Sequence, residues 1–329
     1  MLLELTDNRN NADLAVETLP ASPPSLGLPA TPSTARGDRS GELIADRYRI
    51  LRRLGKGGMG SVWLAVDTVL ARAVALKELN PSTVEASGEV EDAEPRDGHA
   101  VREARAASAT SHPGVVQVYG VLFDDDREWI VMEALSGTTL DQAIKQAGPL
   151  PVDRLVTIGL RLLEALQAIH RAQVVHGDLK PSNVQLVGTG RPVLTDFGLA
   201  TGTAGATVEG AGFVAGSPPY MAPEVIRTGL RGPASDLFSL GATLYEAAEG
   251  RRPFDEGTPV GTALSILNDS PAPALPGSPL GQVIDDLLTK DPRQRLSAQD
   301  AYARLRQIET ELVRATPVEA ARPTPTSDC

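Results

Sequence analysis

The stretch His176-Gly177-Asp178-Leu179-Lys180-Pro181-Ser182-Asn183 does most to decide the fold of this 329-residue chain. Alone it is a weak pattern, but five other short segments accompany it in a fixed order. In chain order these segments are Gly55–Val62, Val74–Lys77, Asp196–Gly198, Ala222–Glu224 and Asp291–Arg295. Together they predict one chemistry, the transfer of the γ-phosphoryl group of ATP to a hydroxyl.

The first of these segments is a glycine-rich loop with Gly55, Gly57 and Gly60 in a G-x-G-x-x-G pattern. Dinucleotide-binding folds use the same pattern, but there the loop leads from a strand into a helix. Here it leads into the strand-like segment Ser61–Val66, which predicts a hairpin that covers the phosphates of ATP. Glycine lets the backbone N–H groups approach those phosphates without a clash from Cβ.

Strand-like and helix-like patterns divide the chain. Short segments rich in valine and leucine predict strands at 48–51, 61–66, 72–77 and 129–133. After Gly137 the apolar residues follow the spacing of a buried helix face. On that face are Leu155, Ile158, Leu162, Leu163, Leu166 and Ile169. Further helices are predicted near 236–249 and 298–312.

The ordered set of segments resembles the eukaryotic-type Ser/Thr protein kinases, most closely their bacterial branch. The resemblance covers roughly Asp46 to Leu312 and implies an α+β fold with two lobes. We expect a β-rich N-lobe at about 46–135 and a larger helical C-lobe at about 136–312. The segments 1–45 and 313–329 are rich in Pro, Ser, Thr and Ala, which predicts disordered tails.

The resemblance implies a role for each residue of the catalytic machinery. Asp178 would orient the acceptor hydroxyl and take its proton, and Lys180 would neutralise the charge that develops on the phosphoryl group. Asn183 and Asp196 would bind Mg²⁺, or Mn²⁺ in its place. Lys77 would hold the α- and β-phosphates of ATP.

Lys77 needs an acidic partner in such a site, and we expect that partner to be Glu103, at the position of the family's helix-C glutamate. Alternatively, Glu103 is only a carboxylate on a helix surface. The resemblance also implies the residues around the adenine base, in which Met132 would be the gatekeeper. The other residues of this set are Val62, Ala75, Glu133 and Leu135, with Leu186 as a further candidate. Gln185 stands where the family usually has an apolar residue, so the sequence alone does not decide which residue forms the floor of the adenine pocket.

Three more residues are expected to support the site. Glu224 would pair with Arg295 and brace the large lobe, and Asp236 would cap the backbone of the catalytic loop. Ser217 favours Ser/Thr over Tyr as the acceptor.

The segment between Asp196 and Glu224 contains no Lys or Arg, and Gly177 stands where many regulated kinases have Arg. A phosphate on Thr201, Thr203 or Thr207 would therefore have no cation nearby in sequence. We expect activity that does not depend on phosphorylation of this segment; the alternative is that Arg102 or Arg105 binds such a phosphate.

Composition limits the partners of the chain. The net charge of −11 argues against general binding to nucleic acid. No run of about 18 apolar residues occurs, so we expect no membrane anchor and a cytoplasmic protein. The one cysteine, Cys329, allows no intramolecular disulfide. The acidic segment 81–97 is expected to be a surface insertion.

The sequence favours an active protein kinase whose partners are proteins with Ser/Thr acceptors, including the kinase itself. Two other interpretations are a pseudokinase scaffold that binds nucleotide without turnover and a small-molecule kinase with a related core. Six residues argue against the scaffold, because degeneration normally removes at least one of them. They are Lys77, Glu103, Asp178, Lys180, Asn183 and Asp196. The sequence leaves the oligomeric state open.

Overall fold

A computed structural model describes residues 39–57, 60–79, 104–105, 108–124, 127–196 and 218–315 of the protein. All of these residues belong to one unit of the chain, Gly37–Cys329. The predicted tail 1–45 is described from Arg39 onward, and the acidic segment 81–97 lies outside the described residues.

The N-terminal part of the described chain is a six-stranded antiparallel sheet. Its strands are β1 (Leu43–Ile44), β2 (Tyr48–Gly57), β3 (Gly60–Asp67), β4 (Arg72–Leu79), β5 (Val118–Asp124) and β6 (Arg127–Glu133). They lie in the order β1-β2-β3-β4-β6-β5. The predicted strands at 48–51, 61–66, 72–77 and 129–133 are confirmed, whereas β1 and β5 were not predicted.

The two faces of this sheet are buried differently, as the alternation of side chains along a strand requires. Ala75 and Met132 on one face belong to the large core of the protein. The other face carries a smaller, second core. Its members are Ile44, Tyr48, Ile50, Trp63, Ala65, Val74, Leu76, Trp129 and Val131. The strand β1 supplies Ile44, so part of the predicted tail 1–45 is a structural element of this lobe.

The rest of the described chain is mainly helical, with a small three-stranded sheet beside the helices. That sheet consists of β7 (Gly137–Thr139), β8 (Val184–Val187) and β9 (Arg191–Leu194), in the order β7-β8-β9. The helices are α1 (Leu140–Ala147), α2 (Val152–Arg171), α3 (Pro223–Thr228), α4 (Pro233–Glu249), α5 (Pro259–Asn268), α6 (Pro279–Leu287) and α7 (Ala298–Ala315). The predicted order, a β-rich lobe and then a helical lobe, is confirmed.

Two helices form the centre of the helical lobe. The apolar face predicted for α2 is fully buried, and its six residues are at most 1% exposed. Helix α4 is buried almost all round and begins at Pro233. The N–H of the first helical residue makes no hydrogen bond within the helix, so proline, which has no N–H, costs nothing at this position. The helix ends at Gly250, which has the left-handed conformation that favours glycine (φ 70°). The core therefore fixes α4 as the scaffold on which the loops of this lobe are held.

The last helix extends beyond the expected end of the domain. Helix α7 runs to Ala315, so residues 313–315 are helical although we placed them in a tail. Leu305 and Ile308 of this helix are buried, which explains why it is ordered through its middle. Residues 316–329 lie outside the described part of the chain.

Candidate active site

The loop His176–Asn183 is held by a buried carboxylate of α4. Asp236 is 1% exposed, and its oxygens accept hydrogen bonds from the backbone N–H groups of His176 (3.0 Å) and Gly177 (2.9 Å). Nε2 of His170 lies 2.8 Å from the same carboxylate. The predicted capping of this loop by Asp236 is confirmed. The part of His170 was missed, because nothing in its helical spacing distinguishes it from a core residue.

Gly177 is required by the backbone at this point. Its φ is 75°, in the left-handed region. A side chain in that conformation costs about 1–2 kcal/mol. The structure therefore gives a physical reason for glycine directly before Asp178, independent of any regulatory role.

Asp178 lies at the centre of a small network of polar side chains. Nζ of Lys180 is 2.6 Å from Oδ2 of Asp178. The carboxamide of Asn183 donates to the same oxygen (3.1 Å) and to the backbone carbonyl of Asp178 (2.8 Å). These contacts fix the direction of the Asp178 carboxylate, which is almost buried. Three of the predicted site residues are thus brought together by one short loop.

Asp196 joins this network from the end of β9. The backbone N–H of Thr195 donates to the carbonyl of Asn183 (3.0 Å), which sets the distance between Asp196 and the loop. Asp196 has a positive φ of 58°. Such a conformation is unusual for a residue with a side chain, and strained backbone of this kind is concentrated at functional sites. Thr195 was not predicted; its backbone N–H and its hydroxyl both donate to the carbonyl of Asn183.

Lys77 reaches Asp196 from the other lobe. Its Nζ lies 3.1 Å from Oδ1 of Asp196, and the Lys77 side chain is only 5% exposed. Strand β4 places Lys77 beside Val62 of β3 and Ile130 of β6. The two lobes therefore meet at an ion pair between two predicted site residues. Glu103, the expected partner of Lys77, lies outside the described residues.

Asn183 and Asp196 suit a magnesium ion. The Nδ2 group of Asn183 donates to Asp178, its Oδ1 accepts a long hydrogen bond from the Ser182 hydroxyl (3.4 Å), and Asp196 adds a carboxylate. Mg²⁺ prefers such oxygen ligands and usually takes one or two carboxylates from the protein, with phosphates and water completing its shell. The donor set therefore fits a Mg²⁺ ion that arrives with a nucleotide.

The predicted phosphate-binding loop is a hairpin between β2 and β3, as expected. Gly57 and Gly60 are the last pair of residues in this hairpin, and residues 58–59 lie outside the described part. Gly60 has φ +144°, and a Cβ on it would lie 1.8 Å from the carbonyl oxygen of Glu78. Glycine is therefore required at position 60 by both conformation and space.

The residues expected around the adenine lie on neighbouring strands. Ala75 of β4 pairs with Met132 of β6, and both are buried. The N–H of Glu133 already donates to the carbonyl of Gln117 (2.8 Å), so Glu133 would contact a base through its carbonyl oxygen. Leu135 follows in the link between the lobes and is half-buried.

On strand β8, Gln185 is less buried than its two apolar neighbours. Val184 and Leu186 are buried, whereas Gln185 is half-buried, as the alternation along a strand predicts. Leu186 belongs to the large core together with Val184. On this strand, Gln185 lies on the face opposite to Leu186.

The predicted pair of Glu224 and Arg295 is confirmed. Two nitrogens of the Arg295 guanidinium donate to the two carboxylate oxygens of Glu224 at 2.6 and 2.9 Å. The Arg295 side chain is 1% exposed and also donates to the backbone carbonyls of Ala234 and Thr289. Ser217 and residues 197–216 lie outside the described part of the chain.

A β-rich lobe and a helical lobe that meet at Lys77 and Asp196, with Asp178 held between Lys180 and Asn183, define a protein kinase. The chain belongs to the protein kinase family, because residues 48–304 match the protein kinase domain. It is similar to the serine/threonine-protein kinase PrkC of Bacillus subtilis, with 36% identity over 270 residues. It is also similar to the serine/threonine-protein kinase PknA of Mycobacterium tuberculosis, with 35% identity over 272 residues.

Each match covers 80% of this chain, but 40% of PrkC and 62% of PknA. A probable serine/threonine-protein kinase PknB of Lactococcus lactis is 30% identical over 281 residues, which are 85% of this chain and 43% of that protein. The chain thus spans less than two thirds of the length of these relatives. None of the helices in the described ranges is both long and apolar enough to cross a lipid bilayer.

Proposed function

We propose that the protein transfers the γ-phosphoryl group of Mg²⁺-bound ATP to Ser and Thr hydroxyls of proteins, including its own chain. The observation that carries this proposal is the convergence of Lys77, Asp178, Asn183 and Asp196. They come from three separate places in the chain, since Asp178 and Asn183 share one loop, and they meet through contacts of 2.6 to 3.1 Å that also involve Lys180 and Thr195.

Asp178 would act on the acceptor. Its carboxylate is held by Lys180 and Asn183, so it can accept a hydrogen bond from the attacking hydroxyl and take the proton as the new bond forms. Lys180 is close enough to share its charge between Asp178 and the phosphoryl oxygens. Catalysis in this chemistry comes mainly from positioning and from charge stabilisation.

Lys77 and the glycine loop would act on the nucleotide. The ammonium group of Lys77 is almost buried, which strengthens its attraction to phosphate. Asn183 and Asp196 would hold Mg²⁺, which neutralises charge on the phosphates and orients them when bound. In the absence of nucleotide, the contact with Asp196 keeps Lys77 directed at the site.

Protein acceptors and a preference for Ser and Thr are supported by the relatives, whose names describe serine/threonine-protein kinases. Lys180 in the loop after Asp178 and Ser217 before the Ala222–Glu224 segment support the same acceptor class. The site residues, the boundaries of the kinase domain at about 46–312 and the cytoplasmic location remain predictions of this proposal.

Transfer of labelled phosphate from ATP tests the proposal. The wild-type chain is incubated with Mg²⁺ and γ-labelled ATP, alone and with a generic basic protein, and the labelled amino acids are identified. We expect label on Ser and Thr in the wild type and at least about 10²-fold slower labelling in Asp178→Asn. A matched control is Asp286→Asn, a carboxylate of an exposed ion pair in the same lobe, which should behave as wild type. Nucleotide binding without any transfer in the wild type would instead support a scaffold.

A further inference from the structure

A carboxylate beside the second core of the N-lobe accepts hydrogen bonds from three side chains. Glu78 follows Lys77 on β4, so its side chain lies on the opposite face of the sheet. One oxygen of Glu78 accepts from Arg39 (2.9 Å) and from Arg127, and the other accepts from Nε1 of Trp63 (3.2 Å). The Glu78 side chain is 15% exposed and that of Arg127 is 45% exposed, so the bonds from Arg39 and Trp63 are the better shielded of these charge-assisted hydrogen bonds.

The partners of Glu78 come from separate elements of the lobe. Trp63 lies on β3, Arg127 on β6, and Arg39 precedes β1. The Arg39 guanidinium also lies over the ring of Trp129, 5.0 Å from its centre, and pairs with Glu42. We define the outer cluster as Arg39, Trp63, Glu78, Arg127 and Trp129. It ties the two strands β3 and β6 and the segment before β1 to one point of β4.

That point adjoins both elements that would hold the phosphates of ATP. Lys77 is the preceding residue, and the backbone of Gly60, at the root of the glycine loop, packs on the carbonyl of Glu78. Because the backbones of Gly60 and Glu78 are in contact, the root of the loop moves with β4. A shift of Glu78 along or across the sheet would therefore move Lys77 and the loop together.

We propose that Glu78 is a positioning residue for the nucleotide, and that Arg39 and Trp63 act through it. The outer cluster fixes the register of β4 against β3 and β6, and thereby the positions of the Lys77 ammonium group and of the root of the glycine loop relative to the groups around Asp178. This inference rests on the proposed function, since it assumes that these two elements bind ATP. It adds residues that touch no substrate and that lie on the far face of the sheet.

Nucleotide affinity is the measurement that separates positioning from a general structural role. Binding of a non-hydrolysable ATP analogue with Mg²⁺ is measured on folded protein for the wild type, Glu78→Gln and Arg39→Gln. We expect the dissociation constant to rise by about fivefold to tenfold in both variants. Glu78 and Arg39 do not touch the nucleotide, but a displaced Lys77 and glycine loop would bind its phosphates less well. In saturating nucleotide, kcat should stay within about twofold of wild type, since the groups around Asp178 are untouched. The double variant should show less than the sum of the two effects, because the two side chains share one contact.

The chain offers a built-in reporter and a matched control. Its two tryptophans, Trp63 and Trp129, are both in the outer cluster and almost fully buried. Binding of the analogue should therefore change the intrinsic fluorescence of the wild type, and Glu78→Gln should reduce that change. Arg53→Gln is the control, because Arg53 lies over the ring of Trp63 but is not among the described partners of Glu78.

A milder variant keeps the test decisive if Glu78→Gln does not fold. Trp63→Phe removes one donor to Glu78 and keeps an aromatic ring, and it should raise the dissociation constant by about two- to threefold. Affinities that match the wild type in the folded variants, or that fall equally in Arg53→Gln, would overturn the inference. A wild type that neither binds the analogue nor transfers phosphate would instead overturn the proposed function.

Discussion

Removing the charge of Glu224 should destabilise the helical lobe strongly. Arg295 is 1% exposed, and its guanidinium directs its donors to Glu224 and to the carbonyls of Thr289, Ala234 and Lys290. In Glu224→Gln the buried cation loses its counter-charge while the carbonyls stay in place. Breaking a buried pair from one side costs about 3–5 kcal/mol. Coulomb's law gives a similar figure, about 4 kcal/mol at about 4 Å with an effective dielectric constant of about 20.

Urea unfolding followed by far-ultraviolet circular dichroism measures this loss. We expect a fall of about 3–5 kcal/mol in the free energy of unfolding, which for a lobe of this size lowers Tm by roughly 6–20 °C. Asp286→Asn is the matched control, because Asp286 and Arg304 form an ion pair in which both side chains are about half exposed. An exposed pair contributes about 0–1 kcal/mol, so the control should unfold almost as wild type.

A second variant distinguishes an unpaired charge from a lost contact. Replacing both partners, in Glu224→Gln with Arg295→Met, removes the buried charge altogether and should restore part of the stability. Equal, small losses in Glu224→Gln and Asp286→Asn would refute the reasoning. The reasoning would also be refuted if the double variant lost more free energy of unfolding than the two single variants lose together.

Three further predictions concern the N-lobe, its glycine loop and the segment after Asp196. The hydrogen bonds from Arg47 lower the pKa of Asp67 to about 2. Its contribution to stability is therefore complete above about pH 4 and is lost as the pH falls from about 4 to about 2. Unfolding of Asp67→Asn should depend less on pH in this range than unfolding of the wild type, and equal dependence would contradict this. Gly60→Ala should lower the free energy of unfolding by about 1–3 kcal/mol because of its positive φ and its close contact. In Gly55→Ala the added Cβ meets nothing within 4 Å. That variant should cost less than about 1 kcal/mol, and equal costs of the two in urea unfolding would exclude the steric argument. The third set of residues is Thr201, Thr203 and Thr207. Replacing all three by Ala should leave the transfer rate within about threefold of wild type, and a loss of more than about tenfold would show that phosphorylation there is needed.

The sequence predicted the three longest helices of the described residues and four of the six strands of the N-lobe sheet, but not the seven-residue strand β5. Helix α2 shows its buried face in the spacing of its apolar residues, whereas β4 is buried on both faces and was predicted from its valine and leucine content. The strands β1, β7, β8 and β9 have two to four residues, too few for a pattern to repeat. They form because neighbouring segments pair with them, and such pairing is not visible in a single short segment.

The candidate site was predictable as a set of residues, but only in part as an arrangement. Asp178, Lys180 and Asn183 are close in sequence, so their contact follows from one loop. The contact of Lys77 with Asp196 joins distant segments and was not predicted, because the resemblance implied only that both residues belong to the site. The outer cluster around Glu78 joins five separate positions on a face opposite the site, and no motif indicates it.

The most direct test of the central claim compares Asp178→Asn with wild type in two assays on the same protein. Asparagine keeps the size of the side chain but cannot take a proton, and the contacts of Lys77 and Asp196 with each other are unchanged. We expect the dissociation constant for ATP with Mg²⁺ to stay within about threefold, while the rate of phosphoryl transfer falls by about 10²–10⁴-fold. A variant that transfers phosphate at the wild-type rate would contradict the role of Asp178 and the assignment of this site.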